Sequence, residues 1–91
     1  MQSIGDLTPP AQRRRIEWGQ NLAQLMQTHS KTGMTHKELV HRLEQEGVTV
    51  SRQAVSLWLR GVNAPRPDVQ VAIGRIFRRP VHLIFPVKDV A

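Results

Sequence analysis

The chain lacks cysteine and has no long apolar run among its 91 residues. Without cysteine it can form neither a disulfide nor a thiolate metal site. Its longest uninterrupted apolar runs are three residues, such as Leu83–Phe85, whereas a membrane helix needs roughly 18. The first residues show no basic-then-apolar signal pattern. We therefore expect one small, soluble, cytoplasmic domain that holds no metal and no cofactor.

Acidic residues are also scarce. The chain has 13 lysines and arginines against 7 aspartates and glutamates, a formal net charge of +6. Such an excess on a small domain favours a polyanionic partner, with nucleic acid first and an anionic membrane surface second. Charge that serves only solubility is the alternative.

Catalytic constellations are missing as well. His36 and His41 are five residues apart, so they do not share one face of a helix. The sequence has no Ser-His-Asp set, no glycine-rich phosphate loop and no paired carboxylates at useful positions. We expect the protein not to be an enzyme, and we assign His29, His41 and His82 to the surface.

Apolar residues at helical spacing predict an all-α chain of five short helices without a sheet. We expect a flexible arm over residues 1–7, a domain over residues 8–85 and a tail over residues 86–91. The first helix is predicted to start with Thr8 as its cap and Pro9 as its first residue. It should run to about Thr28 and bury Trp18, Leu22, Leu25 and Met26, with Gly19 weakening its middle.

The later helices have clearer boundaries. Thr35 and Glu38 form a capping box for a second helix, which should end near Glu46 with Gly47 in a left-handed conformation. After an extended Val48–Val50, Ser51 caps a third helix that ends at Gly61. The apolar spacing over Val69–Phe77 predicts an amphipathic fourth helix, and Val81–Phe85 a final turn after Pro80.

The third helix carries the candidate binding face. On a helical wheel Val55, Trp58 and Leu59 point into the core, while Gln53, Ser56, Leu57 and Arg60 point outward, with Arg52 near the start. Glutamine can pair with adenine, arginine with guanine, and leucine can touch a thymine methyl. A solvated helix face is the alternative for the polar residues. A role in a dimer or in the core is the alternative for Leu57.

Two consecutive helices, the second with a base-reading face, form a helix-turn-helix layout. Exposed N–H groups at the start of the second helix favour phosphate. The predicted base contacts are Arg52, Gln53, Ser56 and Leu57. The predicted phosphate contacts are Thr35, His36, Lys37, Ser51, Arg60 and Arg66. For Arg13–Arg15, steering onto DNA and a solvated face both stay open.

The stretch "THKELV" followed by "AVSLWLRGVNAP" resembles the Cro and lambda-type repressor family of helix-turn-helix proteins. The matching positions are Thr35, Glu38, Leu39, Val55, Ser56, Trp58, Gly61 and Pro65. Downstream, "IGRIFRRPVHLIF" resembles the fourth and fifth helices of that family, so the resemblance covers residues 20–85.

The resemblance implies a compact five-helix, lambda-repressor-like fold and a function in transcription regulation. The protein would be a Cro-type repressor from a phage or prophage. A homodimer would bind a pseudo-palindromic operator on double-stranded DNA, with the helix at residues 51–60 in the major groove. No small-molecule ligand is expected. The alternative is an antitoxin-like protein that binds a partner toxin as well as DNA.

Three positions depart from the family pattern. The link between the second and third helices is about five residues longer than the usual tight turn. Leu59 stands where the family often has a glutamate that pairs with an arginine of the first helix, so we expect apolar packing there. Arg78 and Arg79 replace the usual Gly-Val before Pro80 and add charge.

Overall fold

The computed structural model describes residues 9–87, which form five helices and, within that range, no strand. The helices are α1 (Pro10–Thr28), α2 (His36–Gln45), α3 (Arg52–Leu59), α4 (Pro67–Phe77) and α5 (Val81–Ile84). The predicted all-α class is therefore confirmed. The predicted arm over residues 1–7 and the part of the predicted tail at residues 88–91 lie outside the described residues. None of the described helices combines the length and hydropathy needed to cross a bilayer.

The start of α1 differs from the prediction. Pro10, not Pro9, is the first helical residue, and Pro9 is the extended N-cap with φ −60° and ψ 145°. The reason is steric, because a residue that precedes a proline is driven out of the helical region. Pro10 then occupies the first helical position, where its missing N–H is not needed. Thr8, the expected cap, lies outside the described residues.

One apolar core receives side chains from every helix. The predicted inward residues of α1 are confirmed, because Trp18, Leu22 and Met26 are buried and Leu25 packs partly buried against them. Burying such a side chain contributes about 1.5–3 kcal/mol. α1 packs on α3 and α5, α2 packs on α3 and α4, and α4 packs on α5.

Three helices end in the same hydrogen-bond pattern around a residue with left-handed backbone. These residues are Gly47 after α2, Gly61 after α3 and Arg78 after α4. Each donates its N–H to the carbonyl three residues back, and the following residue donates to the carbonyl five residues back. This is the Schellman motif, which satisfies carbonyls at a helix end. The left-handed Gly47 is confirmed, whereas the left-handed Arg78, which stands where the resembled family usually has glycine, was not predicted.

The end of the described chain is attached to α1 by two side-chain hydrogen bonds. Trp18 Nε1 donates to the carbonyl of Pro86 at 2.7 Å, and Asn21 Nδ2 donates to the carbonyl of Ile84 at 2.9 Å. The rings of Trp18 and Phe85 also meet edge to face, with centroids 5.4 Å apart. Residues 84–86 therefore cover the indole of Trp18.

Candidate nucleic-acid interface

Local capping and burial set the orientation of α3. The hydroxyl oxygen of Ser51 accepts a hydrogen bond from the N–H of Ala54 at 3.0 Å, which confirms the predicted cap. Val55 is fully buried and Trp58 is 6% exposed, and Leu59 packs partly buried against the core. The inward side of the helical wheel is therefore confirmed, and apolar packing surrounds Leu59 as expected. The opposite side of α3 is left to face outward.

Two glycine contacts hold α3 close to α1. A Cβ on Gly19 would lie 2.5 Å from the carbonyl oxygen of Trp58 and 2.8 Å from that of Leu59. A Cβ on Gly61 would lie 2.8 Å from Cα of Ile16. Neither position has room for a side chain, since the neighbouring atoms are mostly backbone. Gly19, expected only to weaken α1, is the residue that lets the two helices approach.

The predicted base-contact residues on the outward side of α3 differ in their exposure. Arg52 and Gln53, in the first turn, are exposed, whereas Ser56 and Leu57 are half-buried. The carbonyl of Leu57 accepts hydrogen bonds from Val62 and Asn63 as the chain reverses after the helix. The two long polar side chains of the first turn are thus the most accessible groups on this face.

The start of α2 supplies a second set of donors. The hydroxyl oxygen of Thr35 accepts a hydrogen bond from the N–H of Glu38 at 3.0 Å, and Thr35, His36 and Lys37 are exposed. Only the threonine half of the predicted capping box forms, because the carboxylate of Glu38 accepts instead from Arg42 Nη2 at 3.2 Å. A hydroxyl that accepts through oxygen keeps its proton, so Thr35 and Ser51 can still donate to a phosphate.

The link between α2 and α3 comprises residues 46–51, about two or three residues more than the roughly 3–4 of the usual turn, so the expected excess of about five residues was too large. Val48 and Val50 are half-buried and pack against the core. The N–H of Val48 donates to the carbonyl of Leu43 at 2.9 Å. Leu43 itself is fully buried beside Val55 in the same core. The extra residues therefore attach α2 firmly to α3.

Arginines flank the loop that follows α3. Arg60 and Arg66 are exposed, and Arg66 lines a surface cavity of about 270 Å³ together with Ala54 and Thr49. The loop thus brings Arg66 beside the first half of α3. Arg66 Nε also lies 3.4 Å from a carboxylate oxygen of Asp68, with both side chains largely exposed. An exposed pair of this kind contributes little, so a phosphate can compete for the guanidinium.

Basic residues outnumber acidic residues in and around α3. From Gly47 to Pro67 the chain contains no acidic residue, and it contains Arg52, Arg60 and Arg66. Asp68 is the first carboxylate after this stretch. The face of α3 and its two flanking segments therefore carry positive charge that no carboxylate within the stretch neutralises.

The structure also brings part of the basic run of α1 to this region. A small cavity of about 130 Å³ is lined by Arg14, Arg15 and Trp18 of α1 and by Ala64 of the loop after α3. The guanidinium of Arg14 lies over the ring of Trp18, 5.8 Å from its centroid. Arg15 Nε is shielded from solvent and has no hydrogen-bond partner among the described residues. The sequence shows the arginine run but not which loop it faces.

Comparisons with protein families, with curated proteins and with solved structures found no match to this chain. Among the described residues, no group of three histidine, aspartate or glutamate side chains is arranged to hold a metal ion. The arrangement offers instead an exposed amide, several guanidinium groups and capped hydroxyls on adjoining segments.

Proposed function

We propose that the protein is a sequence-specific, double-stranded DNA-binding regulator of transcription that uses α2 and α3 as a helix-turn-helix. The observation that carries the proposal is the first turn of α3. Arg52 and Gln53 are exposed there, while Val55 and Trp58 are buried on the other side of the same helix. In this motif the N-terminal residues of the second helix contact base edges in the major groove.

The chemistry of that turn suits base recognition. The amide of Gln53 can donate to and accept from adenine at once, and the guanidinium of Arg52 can donate twice to guanine. Ser56 and Leu57 lie one turn later on the same face and add a hydroxyl and an apolar contact. Their partial burial makes them contribute less than the residues of the first turn.

The proposed phosphate contacts surround this face. Phosphate and sugar receive half or more of the hydrogen bonds in protein–DNA complexes and set the register of the protein. Exposure supports this role for six residues, through a hydroxyl group, an imidazole or a positive charge. They are Thr35, His36, Lys37, Ser51, Arg60 and Arg66. Arg15 becomes a further candidate because it lies beside the loop after α3.

The biological role that fits these features is a Cro-type repressor. A homodimer would bind the two half-sites of a pseudo-palindromic operator, as is usual for this motif. Such a protein works in the bacterial cytoplasm, on the DNA of the host or of a phage. Size-exclusion chromatography with light scattering, with and without operator, measures whether two copies assemble on DNA.

The test is selection of bound duplexes from a random DNA pool, followed by titration of the enriched duplex and a scrambled duplex. We expect one enriched sequence with two-fold symmetry. Affinity should fall by orders of magnitude between ~50 and ~200 mM salt, because phosphate contacts release counterions. A pool that stays unenriched, or an affinity that does not change with salt, would refute the proposal.

A further inference from the structure

A second basic surface lies where three helices end. A cavity of about 420 Å³ is lined by Leu25 and His29 at the end of α1, by Arg42 near the end of α2, and by residues 76–79 at the end of α4 and just after it. We call this cavity the arginine groove. Phe77 forms part of its floor, and the ring of His29 meets that of Phe77 edge to face at 6.0 Å. The groove is thus lined by an aromatic ring and by charged side chains.

Positive charge is concentrated in the arginine groove. Arg42, Arg78 and Arg79 line it, and none of the lining residues is acidic. The side chain of Glu38 pairs with Arg42 at 3.2 Å, while Arg78 and Arg79 are both exposed. Like charges gathered in one place repel one another, and an anionic ligand would relieve that repulsion.

The backbone at Arg78 is unusual for a residue that carries a side chain. Arg78 has φ 56° and ψ 47°, a left-handed conformation that side-chain-bearing residues rarely adopt. The same Schellman position is occupied by glycine after α2 and α3. A strained backbone that is kept in a fold is a reason to look for a function of its side chain.

The arginine groove is separate from the outer face of α3. Arg66 precedes the first residue of α4 and Arg78 follows its last, with 11 helical residues between them. At 1.5 Å per residue these two ends are about 16 Å apart. A ligand in the groove would therefore leave Arg52 and Gln53 uncovered.

A neighbouring cavity extends the groove along α1. This cavity, of about 320 Å³, shares Leu25, Thr28 and Arg79 with the first and adds Leu83. Leu83 is 61% exposed, so its apolar side chain is accessible next to the arginines. The two adjoining cavities therefore offer the apolar side chain of Leu83 beside Arg79, with Arg42 and Arg78 in the first cavity only.

We infer that this extended groove binds an acidic peptide segment of a partner protein, with carboxylates on Arg78 and Arg79 and an aliphatic side chain on Leu83. Arginine and carboxylate form charge-assisted, often two-pronged hydrogen bonds. The inference does not depend on DNA binding by α3, because the two surfaces use different residues.

The probe is a set of short fluorescent peptides that carry an aliphatic residue beside consecutive aspartates or glutamates. A matched set has asparagine and glutamine in place of the acids. Binding is followed by fluorescence anisotropy with the full chain. We expect the acidic set to bind and the amide set not to bind.

The decisive variant combines Arg78→Gly with Arg79→Gln, which removes two charges without adding backbone strain. It should weaken peptide binding by about tenfold or more, since charge-assisted bonds are the strong ones. Arg75→Gln is the control for loss of one positive charge elsewhere on α4, because Arg75 is exposed, lies 3.8 Å from a carboxylate oxygen of Glu46 and does not line either cavity. This control should bind the acidic peptides nearly as wild type does.

Three results would overturn the inference. Equal loss of peptide binding in Arg52→Gln would mean that the peptides bind any basic surface, α3 included. Loss of duplex DNA binding in the double variant, to the same extent as loss of peptide binding, would mean that the groove is a DNA surface. Conversion of a wild-type dimer to a monomer by the double variant, seen in sedimentation, would mean that a second copy of this chain occupies the groove.

Discussion

The ends of α3 and α4 share one hydrogen-bond pattern but differ in the residue at its centre. Gly61 has φ 76° and Arg78 has φ 56°. At Gly61 a side chain is excluded, because a Cβ would lie 2.8 Å from Cα of Ile16. At Arg78 the side chain is exposed, so packing against neighbouring atoms does not determine which residue type stands there. The α3 end is therefore determined by contact with α1, and the α4 end keeps a charge at the cost of an unfavourable backbone.

The largest expected effect comes from Gly61→Ala. The change adds left-handed strain, about 1–2 kcal/mol, and overpacking against Ile16, about 1–3 kcal/mol. We expect a loss of about 3 kcal/mol in the free energy of unfolding, measured by urea denaturation.

Gly47→Ala is the matched control for that contact. Gly47 has φ 87°, but a Cβ there would meet nothing within 4 Å. Gly47→Ala should lose only about 1 kcal/mol in the free energy of unfolding, because it adds backbone strain without overpacking. Equal losses at the two glycines would show that the α3 end is not determined by its contact with Ile16.

The next largest effect tests whether α3 binds DNA independently of the end of α4. Gln53→Ala should weaken binding to the selected operator by ~1–3 kcal/mol and leave scrambled duplexes almost unchanged, because it removes a base contact. Its thermal midpoint should match wild type, since Gln53 is exposed. Arg78→Gly should keep operator affinity. Gln53 is not a base contact if its alanine variant loses affinity equally for both duplexes.

A smaller effect tests the strain at the α4 end. Arg78→Gly and Arg78→Ala both remove the charge, but only glycine relieves the left-handed backbone. We expect the glycine variant to be more stable by about 1 kcal/mol, measured as the difference in urea midpoints at equal slope. Equal stability of the two variants would mean that the backbone of Arg78 carries no strain.

The smallest effect concerns Arg60, the C-cap of α3. Arg60→Ala should weaken operator and scrambled duplex alike and lower the salt slope by about one, because a phosphate contact carries no sequence information. Titrations at several salt concentrations give the slope. A loss confined to the operator would instead place Arg60 on a base edge.

Features with a local cause could be predicted from the sequence. The caps at Thr35 and Ser51 form as expected because a hydroxyl reaches an N–H three residues on. The outward position of Arg52 and Gln53 follows from the period of α3 and the apolar side that Val55 and Trp58 form. These predictions needed no knowledge of the other helices.

Features that depend on how helices cross could not be predicted. Gly19 reads as a weak point in α1 until the carbonyls of Trp58 and Leu59 are seen against it. The position of Arg15 beside Ala64 depends on where α1 passes the loop after α3. Arginine does not itself favour a left-handed backbone, and the one sign of it at Arg78 is the glycine that usually stands at this position in the family that the sequence resembles.

The bonds between α1 and residues 84–86 have a consequence for synthesis of the chain on the ribosome. The hydrogen bond from Trp18 to Pro86 spans 68 positions in sequence, and Trp18 also needs Phe85 beside its ring. A helix as short as α5 forms only when docked, so a nascent chain that has emerged from the ribosome only as far as residue 80 can form four helices but leaves this indole uncovered. Folding of the domain is therefore completed only after Phe85 and Pro86 have left the exit tunnel and packed against Trp18.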